Sequence, residues 1–176
     1  MTWAAELGLA VLLGAGVVTD LRSGLVYNWL TLPAAGLGLL LGGWQAGWWG
    51  LWTALAGVLV GGGLLLVPFM LGALGGGDVK LLAAVGALGG PAFALKVAVY
   101  ACLVGGAWAL VVMLVKGCLW EGLANLGRLL RGLVIPGLRP APPQSLGLPG
   151  IPFAVCLAAG ALWARFFDVL PGWFRA

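Results

Sequence analysis

Apolar residues run along this chain in long blocks, broken by short clusters of glycine, proline and charge. Trp3 to Thr19 is a nearly uninterrupted apolar run of about 17 residues, at the short end of what crosses a hydrocarbon core. Trp3 suits one interface and Asp20 marks the other, so the first helix is predicted to end at Asp20. Ser23-Gly24 and Asn28 are turn signals, after which Leu30 to Trp44 returns through the membrane with Pro33 tolerated in its first turn. Gln45 to Trp49 read as an aromatic interfacial turn. Gly50 to Leu74 is a third span, in which Gly61-Gly62-Gly63 and Pro68 imply close helix contacts or a kink.

A glycine loop, Gly75-Gly76-Gly77, then leads into Asp78-Val79-Lys80-Leu81-Leu82. From Val79 the chain stays apolar only as far as Gly89-Gly90-Pro91, which leaves a fourth helix of about 12 residues. At 1.5 Å per residue that is roughly 18 Å, against a hydrocarbon core of about 30 Å. Either the bilayer is thinned there, or Asp78 starts its helix below the membrane surface in a cavity that water reaches. Ala92 to Val115 is the fifth span, with Lys96 near its start and Lys116 just beyond it. Gly117 to Ile135 changes character: Glu121, Asn125, Arg128 and Arg131 share one helical face, and Leu119, Leu123, Leu126, Leu130 and Leu133 the other. That pattern predicts an amphipathic helix lying in the interface, its arginines suited to anionic lipid head groups. Pro136 to Pro152 reads as a loop and Phe153 to Phe167 as the sixth span, followed by a tail with Asp168, Trp173 and Arg175. The predicted fold is all-α: one integral membrane domain over residues 1–176, with about six transmembrane helices and one interfacial helix.

Composition sharpens this. Hydrophobic residues make up 62% of the 176 and charged residues 8%, with a mean hydropathy of +1.12, which excludes an ordinary soluble domain. No nucleic-acid partner is suggested. Histidine is absent, so imidazole bases, histidine triads and histidine metal sites are excluded. Cys102, Cys118 and Cys156 are widely spaced, have neither zinc-knuckle nor disulfide-framework spacing, and read as small packing residues. No metal or other cofactor is expected. The first residues lack a basic region and carry Glu6, so they are expected to remain as the first helix rather than be removed as a signal peptide.

Only five acids are available, Glu6, Asp20, Asp78, Glu121 and Asp168. An ionisable group in or near hydrocarbon costs at least about 2.5 kcal/mol, so a functional role is the default hypothesis for Asp78; the plain alternative is a helix cap at the surface. With the N-terminus outside, the cytoplasmic segments hold Arg22, Lys80, Lys116, Arg128, Arg131 and Arg139, leaving Lys96, Arg165 and Arg175 outside. This orientation puts Asp20 and Asp78 on the same, cytoplasmic face of the cell membrane. Two adjacent carboxyl groups sharing a proton form an acid and base pair without any other residue type. Gly75, Gly76 and Gly77 would let an extended backbone approach that pair. Asn28 suits either a cap on the second helix or a hydrogen bond near the acids. Lys80 suits a topology anchor, a lipid-phosphate contact or a group that tunes the pair.

The residues around both acids resemble a known family. Gly75-Gly76-Gly77-Asp78 fits the GxGD motif of membrane aspartyl proteases, and its continuation to Gly89 is similar to the corresponding segment of type IV prepilin leader peptidases. Asp20-Leu21-Arg22-Ser23-Gly24-Leu25-Val26-Tyr27-Asn28 and the following residues to Pro33 are similar to that family's first-aspartate region, and Pro152-Phe153 to the opening of its last helix. The resemblance implies cleavage of short basic leaders from prepilin-like precursors, with Asp20 and Asp78 as the catalytic pair, in a type IV pilus or related secretion system. At Tyr27 the family commonly has proline. The segment between Asp20 and the second helix is about nine residues long and has no CxxC motif, so the insertion of larger members is missing and N-methyltransferase activity is not expected. Presenilin-like enzymes share GxGD but place tyrosine before the first aspartate, where this chain has Thr19. The rival class is a small proton-coupled transporter using the same acids, although no convincing inverted repeat supports it.

Overall fold

The computed structural model describes residues 2–70, 72, 74–132 and 152–167, and within them the chain is all-helical. Its elements are α1 (Trp3–Ser23), α2 (Asn28–Met70), α3 (Gly76–Gly89), α4 (Pro91–Lys116), α5 (Leu119–Gly132) and α6 (Phe153–Phe166). Of these, α1, α2 and α4 are long and apolar enough to cross a membrane, and α6 is a shorter apolar helix. The expected loop over 136–151 and the tail with Asp168, Trp173 and Arg175 lie outside the described residues.

Several boundaries differ from the sequence expectation, and α3 already begins at Gly76, inside the expected glycine loop. The first helix does not end at Asp20 but runs one turn further to Ser23, where Gly24 closes it in the left-handed conformation (φ 64°) and donates its N–H to Asp20 O at 2.8 Å. Hydroxyls of Thr19 and Ser23 fold back onto the carbonyls of Gly16 and Thr19, so these polar side chains are satisfied inside the helix. The second helix begins at Asn28 rather than Leu30.

The predicted turn at 45–49 is present. Ala46 and Gly47 leave helical geometry, and α2 folds back on itself there: a Cβ built on Gly42 or on Gly50 would fall on the other's carbonyl. The limbs 28–45 and 48–70 therefore run antiparallel, and α3 packs against both. Gly38 in the first limb lies on the backbone of Ala87; in the second, Gly57 lies on Gly86 and Gly61 on the carbonyl of Leu82. Without Cβ atoms the three backbones approach to near contact, the way helices associate where lipid competes equally for apolar side chains.

This packing makes α3 the centre of the bundle. Leu81, Leu82, Ala84, Val85, Gly86, Ala87 and Leu88 are buried, which accounts for a helix that is apolar all round. The side chains pointing away from the bundle are apolar too, among them Leu7, Val11, Leu40, Leu59, Leu103, Val111 and Val115, as a lipid-facing surface requires. At 14 residues α3 spans about 21 Å, less than a hydrocarbon core. Gly90 (φ 82°) ends it, and Pro91 opens α4 at the position where proline's missing N–H costs nothing. Gly160 seats α6 on α4 against Ala101 and the carbonyl of Val97. Beyond α4, α5 packs through Gly122 against Met113 and leaves Trp120, Glu121 and Leu123 exposed. Lys96, assigned to the outer side from charge alone, is buried within α4, only 8% exposed.

Candidate active site

The register of α1 on α3 decides where the acids meet. Gly8 faces Leu88, and a Cβ built on Gly16 would lie 3.5 Å from both Leu81 methyl groups. The two helices run antiparallel, so one turn further along each brings Asp20 opposite Asp78. Asp20 is four residues beyond Gly16 and Asp78 three before Leu81, which keeps each acid on the contacting face. The two carboxyl groups lie near enough for charge on one to act on the other. Both acids are half-buried.

Each carboxylate accepts one backbone hydrogen bond at a helix start. Asp78 sits in the first turn of α3, where its Oδ2 accepts the Gly75 N–H at 3.2 Å. Its own N–H returns to Gly75 O at 3.2 Å. Asp20 Oδ2 accepts the N–H of Ala154, in the first turn of α6, at 3.0 Å. Helix starts favour negative charge because their first N–H groups have no partner inside the helix. The bland expectation that Asp78 caps its helix is thus met, and the same group also faces a second acid.

The glycine run divides its work. A Cβ on Gly77 would press on Val26, 2.9 to 3.2 Å from its Cβ, O and N atoms, and one on Gly76 would come 3.3 Å from Phe69. These two glycines serve packing, while Gly75 is exposed beside the Asp78 carboxylate. Asn28 and Lys80, singled out separately from sequence, join each other: Lys80 Nζ donates to Asn28 Oδ1 at 2.8 Å. Together with the Val26–Gly77 contact, this bond holds the segment between α1 and α2 against the first turns of α3. It therefore ties the element that carries Asp20 to the one that carries Asp78.

Ala154 was not singled out as a neighbour of the acids. A signal was present: α6 opens with Pro152-Phe153-Ala154, which offers no side-chain cap for its first N–H groups. Two crevices between helices lie away from the acids. One of about 310 Å³ is bounded by Thr2, Gln45, Trp49 and Gly89 at the end opposite the acids, and one of about 510 Å³ lies between α1 and the first limb of α2. Among the described residues, no three His, Cys, Asp or Glu side chains gather into a set that could hold a metal ion.

An all-helical membrane bundle with two interacting carboxyl groups at one end of its central helix is the class that fold and site define. Residues 7–110 match the type IV leader peptidase family, more than half of the 176 residues, and the chain belongs to that family. It is therefore a leader-peptidase-like protease, as the residues around both acids led us to expect. The matched segment includes Asp20 and Asp78 and stops short of α5 and α6. No curated protein and no solved structure matches the chain.

Proposed function

We propose that this protein is an aspartic endopeptidase that removes the leader from type IV prepilin-like precursors at the cytoplasmic face of the membrane, with Asp20 and Asp78 as its catalytic pair. The observation that carries this is the meeting of the two motif acids, 58 positions apart in sequence, on facing sides of α1 and α3. In such a pair one carboxyl group is ionised and takes a proton from water as the oxygen attacks the scissile carbonyl carbon. The protonated partner gives its proton to the carbonyl oxygen. When the tetrahedral intermediate collapses, one of its hydroxyls returns a proton to the ionised member as the C=O re-forms, the C–N bond breaks and the departing amine takes a proton from the other member, so the pair again holds its single proton.

The surroundings suit that chemistry. A precursor with an apolar helix can remain in the bilayer while its leader reaches the half-buried acids. The cytoplasmic orientation follows from the excess of basic residues at this end. Only Gly24 to Tyr27 separate α1 from α2, so we assign peptidase activity alone, without N-methyltransferase activity.

The test is intact-mass analysis of a prepilin-like precursor after incubation with membranes that contain this protein. A single cut at the leader junction is expected. An uncut precursor together with proton-coupled solute uptake by the same membranes would replace the peptidase with a transporter.

A further inference from the structure

The helix that completes Asp20 lies beyond the segment matched to the family. α6 begins Pro152-Phe153-Ala154, and no side chain there caps its N-terminus. Ala154 has no exposed surface, so its N–H has no bulk water to turn to. Its acceptor is Asp20 Oδ2, 134 positions away at 3.0 Å. That bond commits one carboxylate oxygen to α6 and fixes the rotation of the group.

Other contacts hold α6 in place for this. Arg165, near its far end, pairs with Glu6 in the first turn of α1 at 2.7 Å. Gly160, between the two ties, lets α6 lie directly on the backbone of α4 at Ala101. An antiparallel helix pinned at two places about eleven residues apart can neither slide nor rotate freely. α6 packs against α3 as well as α1, so it lies beside both acid-bearing helices.

We propose that the first turn of α6 is a positioning element of the catalytic site, in which the Ala154 N–H, through Asp20 Oδ2, holds the Asp20 carboxylate in the orientation that faces Asp78. This rests on the assignment of Asp20 and Asp78 as the catalytic pair. Asp20 is then the catalytic residue and Ala154 a positioning residue that acts through it. The functional unit extends past residue 110, and α6 belongs to the chemistry as well as to the bundle.

The experiment removes the donor and little else. Ala154→Pro deletes the N–H at a first-turn position where proline is tolerated. Replacing Ala154 by its α-hydroxy analogue during translation puts an ester oxygen in place of that N–H and leaves the side chain unchanged. The full chain, Asp20→Asn and both backbone variants are assayed on a synthetic precursor with a basic leader and an apolar helix, alongside thermal unfolding in detergent. We expect the ester variant to lose roughly 10- to 100-fold in kcat, as for a misplaced catalytic group, with KM within twofold and the unfolding temperature unchanged. Wild-type kcat in the ester variant, with Asp20→Asn inactive, would overturn the positioning role and leave the peptidase intact. A parallel fall in kcat and unfolding temperature, with KM rising, would make α6 merely structural and overturn it too. An inactive wild-type protein, or an active Asp20→Asn, would instead remove the catalytic assignment and this inference with it.

Discussion

Glu6 and Asp20 lie on the same helix, about 21 Å apart along its axis, and each reaches α6, yet their surroundings differ in kind. Glu6 is bound by the Arg165 guanidinium, both side chains are partly exposed, and opposite charges cancel. Asp20 has a neutral N–H for a partner and a second acid for a neighbour. A carboxylate matched to a cation at the surface holds two helices together. One held by a neutral donor beside a second acid is placed for acid–base chemistry. The contrast separates a clasp from a site within one pair of helices.

The largest expected effect breaks the acid end. Asp20→Asn and Asp78→Asn should each lower kcat by roughly 10³-fold while the unfolding temperature stays near wild type, because an amide oxygen still accepts the backbone N–H. A smaller effect comes from moving α3 itself. Gly86→Val places a side chain on the Gly57 carbonyl, and overpacking of this kind costs about 1–3 kcal/mol. Thermal unfolding in detergent should show that loss, and a fall in kcat should accompany it because α3 carries Asp78. Next, Lys80→Met and Asn28→Leu should each reduce kcat about tenfold by loosening the tie between the two acid-bearing elements, and the double variant should be no worse than either single one. The smallest effect lies at the clasp. Glu6→Gln should cost about 0–1 kcal/mol, as for an exposed ion pair, and leave kcat unchanged.

Much of this organisation was legible from sequence because it is written in local signals. The long apolar blocks gave the helices, the Trp- and glycine-rich stretch at 45–49 gave the fold-back of α2, and Gly89-Gly90-Pro91 gave the early end of α3. Asp20 was misjudged as a terminus, since an acid at the edge of an apolar block looks like an interface marker. The helix continues because Gly24, not Asp20, supplies the left-handed stop. Asn28 and Lys80 were visible as polar residues in notable places, but their bond joins elements 52 positions apart, which no local pattern encodes. The Ala154 N–H is harder still, being a backbone group in an apolar segment whose only mark is a missing cap. Lys96 shows the reverse: the charge suggested an interface, and packing buried it.

The most direct test of the paired acids is whether they act as one unit. Residual cleavage of the precursor should be measured at saturating substrate for Asp20→Asn, Asp78→Asn and the double variant. A shared-proton pair predicts that the double variant is no slower than the slower single one, since losing either member already abolishes the exchange between them. Losses that multiply would mean that the two acids contribute independently and would contradict the pair.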